Sequence, residues 1–107
     1  MTFNIRAVGM DLTPAINQYA EEKLSSLEKY LDNILHIEVD LGLDTHHHNK
    51  GEIYKCVAMV EVPGTMFRVE KSEKDLYKAI DKVRDHLREE MTAWKEKKRD
   101  SHRGTEE

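Results

Sequence analysis

A long amphipathic helix in the last third of the chain is the feature that most constrains the fold. Between residues 72 and 103, apolar side chains recur at three-, four- and seven-residue intervals, the period that places a stripe along one face of an α-helix. The stripe consists of Leu76, Ile80, Val83, Leu87, Met91 and Trp94. We predict that Ser72 caps the helix and that Asp75 completes a capping box. A helix with one apolar face needs a second layer of structure to cover it.

Charged residues on the same helix are sorted by side. At about 100° per residue, one flank is basic and the far side is acidic. The basic flank carries Arg84, Arg88, Lys95 and Arg99. Residues 82–103 hold 8 basic and 5 acidic groups, whereas residues 1–81 hold 9 and 14. A phosphate-bearing partner responds to such a local patch and not to the total charge of −4; alternatively, the cations only complement the carboxyl end of the helix dipole.

The length of 107 residues suits one domain with a single core. The only cysteine, Cys56, cannot form an internal disulfide and is predicted to be a small core residue. No apolar run approaches the roughly 20 residues that a membrane span needs, and the first residues lack the apolar segment of a signal peptide. We therefore expect a cytoplasmic protein with no membrane partner.

The first half of the chain predicts a strand, a helix and a second strand. Alternating apolar residues predict a strand over residues 3–9. Thr13 and Pro14 predict a helix start, because threonine caps free amides and proline is favoured as the first helical residue. Helical spacing continues to Leu31. Strict alternation over residues 35–43 then predicts a strand with one buried face. Its apolar residues are Leu35, Ile37, Val39, Leu41 and Leu43.

The second half completes a β-α-β-β-β-α order. Residues 53–62 and 65–71 predict two strands joined at Pro63-Gly64, a turn dipeptide. Four strands with one wet face and two amphipathic helices predict an α+β fold, a two-layer sandwich with both helices on one face of a four-stranded sheet. We predict one domain over residues 1–99 and a disordered tail over residues 100–107.

Four colinear segments carry a resemblance to a known family. They are Asn4-Ile5, Asp11-Leu12-Thr13-Pro14-Ala15-Ile16, Lys23-Leu24 with Leu27-Glu28-Lys29-Tyr30, and Asp75-Leu76-Tyr77-Lys78-Ala79-Ile80-Asp81. Through them, residues 3–99 resemble the ribosome hibernation promoting factors, also called ribosome-associated inhibitors or sigma-54 modulation proteins. The chain is similar to the short form of that family, or to the isolated amino-terminal domain of a longer form.

The resemblance implies a fold related to double-stranded RNA-binding domains (dsRBD-like) and a bacterial protein of the small ribosomal subunit. Such a protein occupies the rRNA channel for messenger and transfer RNA and represses translation by steric occupation, which promotes ribosome hibernation. Its partners would be the small subunit and its rRNA, with no small-molecule substrate. Recognition would depend on phosphates and shape, as is usual for structured RNA. We expect a monomer.

The predicted RNA-binding residues are mainly the basic residues of the two helices. They are Lys23, Lys29, Lys82, Arg84, His86, Arg88, Lys95, Lys97, Lys98 and Arg99. Lys23 lies in the apolar stripe of the first helix, so it either extends to the helix edge or points into a groove between the helices. Tyr77 is a candidate for stacking on a base; the alternative is that it packs against the fold. Trp94 either covers the sheet or presents an exposed ring.

Some positions depart from the pattern of the family. Ser26, His86, Glu89 and Ala93 stand where the family usually has basic residues. Histidine titrates near neutral pH and therefore supplies only a part-time cation at position 86. The departures weaken the expected rRNA-facing surface unless the other cations of the helix compensate.

The sequence also bears on other classes of function. His46, His47 and His48 suggest a zinc or nickel site, but neighbours in one loop cannot easily aim three rings at one ion. No phosphate-binding glycine loop, placed nucleophile or catalytic metal spacing is present in the sequence, so we predict no enzyme, no metal site and no cofactor. The alternative function is a protein–protein interaction module of the same fold with weak or no RNA binding.

Overall fold

The computed structural model describes residues 1–44 and 51–105, with side chains through Arg99. The elements are β1 (Thr2–Val8), α1 (Pro14–Ser25), a 3₁₀ helix (Ser26–Lys29), β2 (His36–Leu43), β3 (Tyr54–Val62), β4 (Thr65–Glu73) and α2 (Leu76–Thr105). The predicted order and the α+β class are confirmed. Within the described part of the chain, no helix combines the length and apolar character needed to cross a membrane. His46, His47 and His48 lie outside the described residues.

The four strands form one sheet in the order β1-β2-β3-β4. β1 is parallel to β2, whereas β2–β3 and β3–β4 are antiparallel. A parallel pair requires a crossover connection, which α1 supplies. Ile5, Val39, Ala58 and Val69 pair in one row across the sheet, and all four belong to or pack against the core. The sheet therefore has one apolar face, which the helices cover.

The core lies between that face and the two helices. Leu24 and Leu27 from the first helical segment, and Ile80 and Leu87 from α2, are completely buried. α2 packs mainly on β4 and β3 and also contacts α1. Burial of a leucine-sized side chain contributes about 1.5–3 kcal/mol, so this layer of helix residues holds the two helices side by side.

The start of α1 agrees with the sequence, but its end does not. Thr13 accepts a hydrogen bond from the Ile16 amide at 3.2 Å, and Pro14 is the first helical residue. The α-helix ends at Ser25, and the chain then tightens into the 3₁₀ helix, where one helix to Leu31 was predicted. Leu27 is still buried in this tighter turn, because a few 3₁₀ residues keep the apolar side facing the core.

The predicted capping box of α2 is wrong. Ser72 belongs to β4, where it pairs with Lys55, and its hydroxyl donates to Asp44 at 2.8 Å. The helix begins at Leu76, and the Asp75 carboxylate accepts a hydrogen bond from the Tyr77 amide at 2.9 Å. Asp75 is therefore itself the cap, because the ladder with β3 keeps the preceding residues in the strand. α2 continues through Thr105.

Candidate nucleic-acid interface

The groove between α1 and α2 is lined by aromatic and charged side chains. The rings of Tyr19 and Tyr77 meet edge to face, with centroids 4.8 Å apart. The Tyr19 hydroxyl donates to the Asp81 carboxylate at 2.7 Å. This hydrogen bond, helped by partial burial and the charge of Asp81, raises the pKa of Tyr19 to about 12. Tyr77 thus packs against Tyr19 and is still 39% exposed.

Lys23 points into this groove. Its Nζ lies 3.5 Å from Asp81 Oδ1 and 5.6 Å from the centroid of the Tyr19 ring. The side chains of Lys23 and Asp81 are 33% and 38% exposed, so a partner that enters the groove can reach the ammonium group. Lys23 therefore points into the groove between the helices and does not extend to the edge of α1.

Arg84 and Arg88 lie on the flank of α2 that faces α1, but each is engaged. Arg84 Nε lies 2.8 Å from Asp85 Oδ1, and only 21% of the Arg84 side chain is exposed. The Arg88 guanidinium lies 5.7 Å from the centroid of the Tyr30 ring. A hydrogen bond with Tyr30 raises the pKa of Arg88. A guanidinium on an aromatic face keeps its charge and presents its donor edge in a fixed orientation.

Lys82 and His86 lie on another side of α2, towards β4. Lys82 Nζ lies 2.6 Å from Glu73 Oε2, and His86 Nε2 lies 3.2 Å from Glu90 Oε2. These carboxylates reduce the positive field of the two side chains. The structure therefore does not bring all ten predicted residues into one groove. Some line the groove between α1 and α2, some form ion pairs on the side of α2 near β4, and the rest lie elsewhere.

Free positive charge is concentrated at the carboxyl end of α2. Lys95, Lys97, Lys98 and Arg99 are exposed, and none forms an ion pair with a described side chain. Lys29 is likewise exposed and has no such partner in residues 1–44 and 51–99. The four α2 residues, Lys95, Lys97, Lys98 and Arg99, are called the cationic end.

Trp94 fixes one member of the cationic end. Its ring is half-buried and meets Phe67 of β4 edge to face, with centroids 5.8 Å apart. Lys98 Nζ lies 4.9 Å from the centroid of the indole. Trp94 therefore covers part of the sheet and also holds a cation over its outer side.

Acidic residues interrupt the basic flank between Arg88 and the cationic end. Glu89, Ala93 and Glu96 line a shallow depression beside Tyr30 and Arg88. Glu89 and Ala93 are two of the positions where the family usually has a cation. Ser26, a third such position, donates its hydroxyl to the carbonyl of Lys23 and so acts within the helix. Along this flank of α2, the cations of the described residues are thus divided between the groove and the helix end.

Sequence reasoning missed the role of Asp81 in the groove. This residue accepts the Tyr19 hydroxyl and pairs with Lys23, so it joins α1 to α2. Its place among cations on the basic flank, four residues after Tyr77 and three before Arg84, was a usable signal. The described residues contain no group of three or more metal-ligating side chains. Cys56 is buried, and desolvation raises the pKa of its thiol to about 12.

Comparisons with known proteins agree with this fold. Residues 3–99 match the family described as "Sigma 54 modulation protein / S30EA ribosomal protein". A ribosome hibernation promoting factor of Azotobacter vinelandii is 30% identical over 97% of this chain and 92% of its own length. A ribosome hibernation promotion factor of Bacillus subtilis is 27% identical over 91% of this chain, which spans only 50% of that protein. The crystal structure of the Protein Y amino-terminal domain of Thermus thermophilus aligns with a TM-score of 0.71 at 32% identity, covering 87% of this chain and 94% of that domain.

The fold thus defines a class of α+β protein with a four-stranded sheet and two helices. The chain belongs to the sigma 54 modulation protein / S30EA ribosomal protein family. The resemblance and the absence of enzymatic function expected from the sequence are confirmed by this membership.

Proposed function

We propose that this protein binds the small ribosomal subunit through rRNA phosphates and represses translation by occupying the path of messenger and transfer RNA. The names of its relatives, which describe ribosome hibernation promotion, support this proposal. The observation that carries it is the unpaired cationic end at the carboxyl end of α2. A rigid domain that holds this patch on RNA excludes a competing strand by its volume, and no bond is made or broken.

Affinity in this mechanism comes from the release of counterions. Each phosphate neutralised by a lysine or arginine frees a condensed cation, so the logarithm of the binding constant falls linearly with the logarithm of salt concentration. Contacts from about four cations give a slope of roughly −3 to −4. Binding should therefore be strongest in low salt and weaken steeply as the salt concentration rises.

The groove supplies orientation beside the cationic end. Lys23 is held between Tyr19 and Asp81, and Arg88 is held on Tyr30. Side chains fixed in this way lose little rotamer freedom on binding. Tyr77 is exposed next to them and offers a ring for an unstacked base.

The test is cosedimentation with isolated small subunits across a salt series. The variant changes Lys95, Lys97 and Arg99 to Glu. The matched control changes Lys55, Lys74 and Lys78 to Glu, which alters the net charge equally and removes no described ion pair. Lys78 is 17 residues from Lys95 on the same helix, about 25 Å away.

We expect the cationic-end variant to lose binding at salt concentrations where the control still sediments with the subunit. The wild-type slope should be lost in that variant and largely kept in the control. Equal loss in both variants would show that only the total charge matters and would refute the proposed contact surface. Binding that resists moderate salt and survives both variants would indicate the alternative, a protein–protein interaction module.

A further inference from the structure

The outer side of β4 is a free sheet edge of nine residues. Its pairing with β3 runs without a bulge from Thr65 to Glu73, and it contains no proline. No backbone hydrogen bond from another segment of residues 1–44 and 51–105 reaches this outer side. A regular edge of this kind presents unpaired amides and carbonyls, which can add a further strand.

The exposed charges of this edge alternate in sign. Arg68 and Glu70 point away from the helices, on either side of Val69, with 3.4 Å between Arg68 Nη2 and Glu70 Oε1. Their side chains are 57% and 43% exposed. Val69 itself points into the core and is buried. The open face of the edge thus carries one cation and one anion at equal distances from its centre.

This spacing is self-complementary. A second copy whose β4 runs antiparallel, with a two-fold axis through Val69, places Arg68 opposite Glu70 of the second copy and Glu70 opposite Arg68. The four side chains then form a ring of alternating charge. On the helix-facing side, Phe67 comes opposite Lys71 of the second copy, and this pair sets no like charges against each other. The contact is isologous, so it closes at two copies.

The two neighbouring symmetric registers, with the axis moved by one residue in either direction, are worse. An axis through Arg68 places two arginines opposite each other, and an axis through Glu70 places two glutamates opposite each other, which is destabilising. β1 is the other edge of the sheet, and Arg6 is its one charged side chain. Arg6 is paired with Asp40 at 2.8 Å. The charge pattern therefore favours the β4 edge over β1 and the register centred on Val69 over its two neighbours.

The helix surface beside this edge carries both signs of charge. Lys71, Lys82, Asp85, His86 and Glu89 line a single shallow depression next to β4. Since α2 packs on β4, a second copy across the edge would bring this depression against its own equivalent. Two-fold symmetry can then set cations of one copy against carboxylates of the other, so the helices do not oppose the contact.

We propose that the protein self-associates through its β4 edges, forming one continuous antiparallel sheet from two copies in the register centred on Val69. This differs from the monomer expected from the sequence. The interface is small and each copy carries a formal charge of −4, so the dimer is weak and exchanges rapidly. The contact does not use the cationic end, and it is independent of the proposed RNA binding.

The test uses two charge reversals in the full chain, Arg68→Glu and Glu70→Arg, studied separately, mixed and combined in one chain. Sedimentation velocity over a concentration series extending into the millimolar range measures association. Two attractive pairs become two repulsive pairs in each single variant, so the association constant should fall on the order of tenfold or more. Circular dichroism checks that each variant is folded, and Arg6→Glu is the control on the opposite edge.

The mixture is the decisive sample. Arg68→Glu and Glu70→Arg should associate with each other as strongly as the wild type does, because every pair across their interface is again opposite in charge. The double swap should recover self-association for the same reason. Amide shifts that depend on concentration should be confined to β4 and its neighbours in the wild type. A wild type that stays monomeric, or single variants that do not recover on mixing, would overturn the proposal.

Discussion

Removal of the Tyr19 hydroxyl should destabilise the protein by about 1–2 kcal/mol, since a hydrogen bond to a charged acceptor contributes about 1.5–3 kcal/mol and partial exposure reduces it. The hydroxyl donates to Asp81 at 2.7 Å and, together with the Lys23–Asp81 ion pair, links α1 to α2. The substitution Tyr19→Phe keeps the ring and its contact with Tyr77, so it isolates the hydrogen bond. Asp81→Ala removes the acceptor and also the ion pair with Lys23.

The pKa of Tyr19 gives a second measure of the same interaction. A rise from 10.0 to about 12 corresponds to roughly 2.7 kcal/mol at about 1.36 kcal/mol per unit. The groove is open to solvent, which lowers this figure towards the range given above. Because the folded pKa is above the unfolded one, the stabilisation is complete below about pH 10 and is lost as the pH rises through about 12.

The assay is a double-mutant cycle of Tyr19→Phe and Asp81→Ala, measured by urea denaturation at neutral pH. We expect a coupling energy of about 1–2 kcal/mol, and a stability difference between wild type and Tyr19→Phe that shrinks above pH 10. Ultraviolet titration should find one tyrosine with a pKa near 12, absent in Tyr19→Phe. Coupling within about 0.3 kcal/mol of zero, or a titration without this late tyrosine, would refute the reasoning.

Three further outcomes follow from burial and capping. Leu87→Ala should cost about 2–5 kcal/mol in the free energy of unfolding because the side chain is completely buried, whereas Leu35→Ala, at 49% exposure, should cost far less. Asp75→Ala should lower the free energy of unfolding by about 1 kcal/mol through loss of the cap. Ser72→Ala should leave the Tyr77 amide protected from hydrogen exchange. Loss of that protection in Ser72→Ala but not in Asp75→Ala would favour the capping box. Cys56 should not react with a thiol reagent at pH 8 until the protein is unfolded, since its pKa is raised to about 12.

The secondary structure was predictable where the apolar period was regular. Ile37, Val39 and Leu41 of β2 are buried as their alternation predicts. Leu35 and Leu43 continue the same alternation but lie exposed at the two ends of the pattern. Local pattern fixes which face of a strand is apolar, but not how far the covering layer extends.

The start of α2 was not predictable from local residues alone. Ser72 and Asp75 are both good caps, and the choice depends on whether the chain still pairs with β3. Lys55↔Ser72 and Tyr54↔Glu73 extend the ladder, so the later cap is used. That information lies in a strand about 18 residues earlier.

The candidate site was only partly predictable for the same reason. Helical spacing put Arg84 and Arg88 on one flank of the helix, but it could not show that Arg88 would lie against Tyr30. It could not show that Glu73 would neutralise Lys82, because that carboxylate comes from β4. Likewise, Lys23 and Asp81 are 58 positions apart, and only the packing of the helices brings them to 3.5 Å. The proportion of free to paired cations is a tertiary property.

The parallel alignment of β1 with β2 determines when the sheet can be completed. Thr2 pairs with His36 across a loop that contains all of α1, whereas β3 and β4 meet across a two-residue turn. Closing the longer loop costs more chain entropy, so we expect the hairpin to form first and the amino-terminal strand to dock late. Pulse-labelled amide exchange during refolding should then protect Ala58 before Ile5. β1 should also be the first strand to detach when the native protein opens locally.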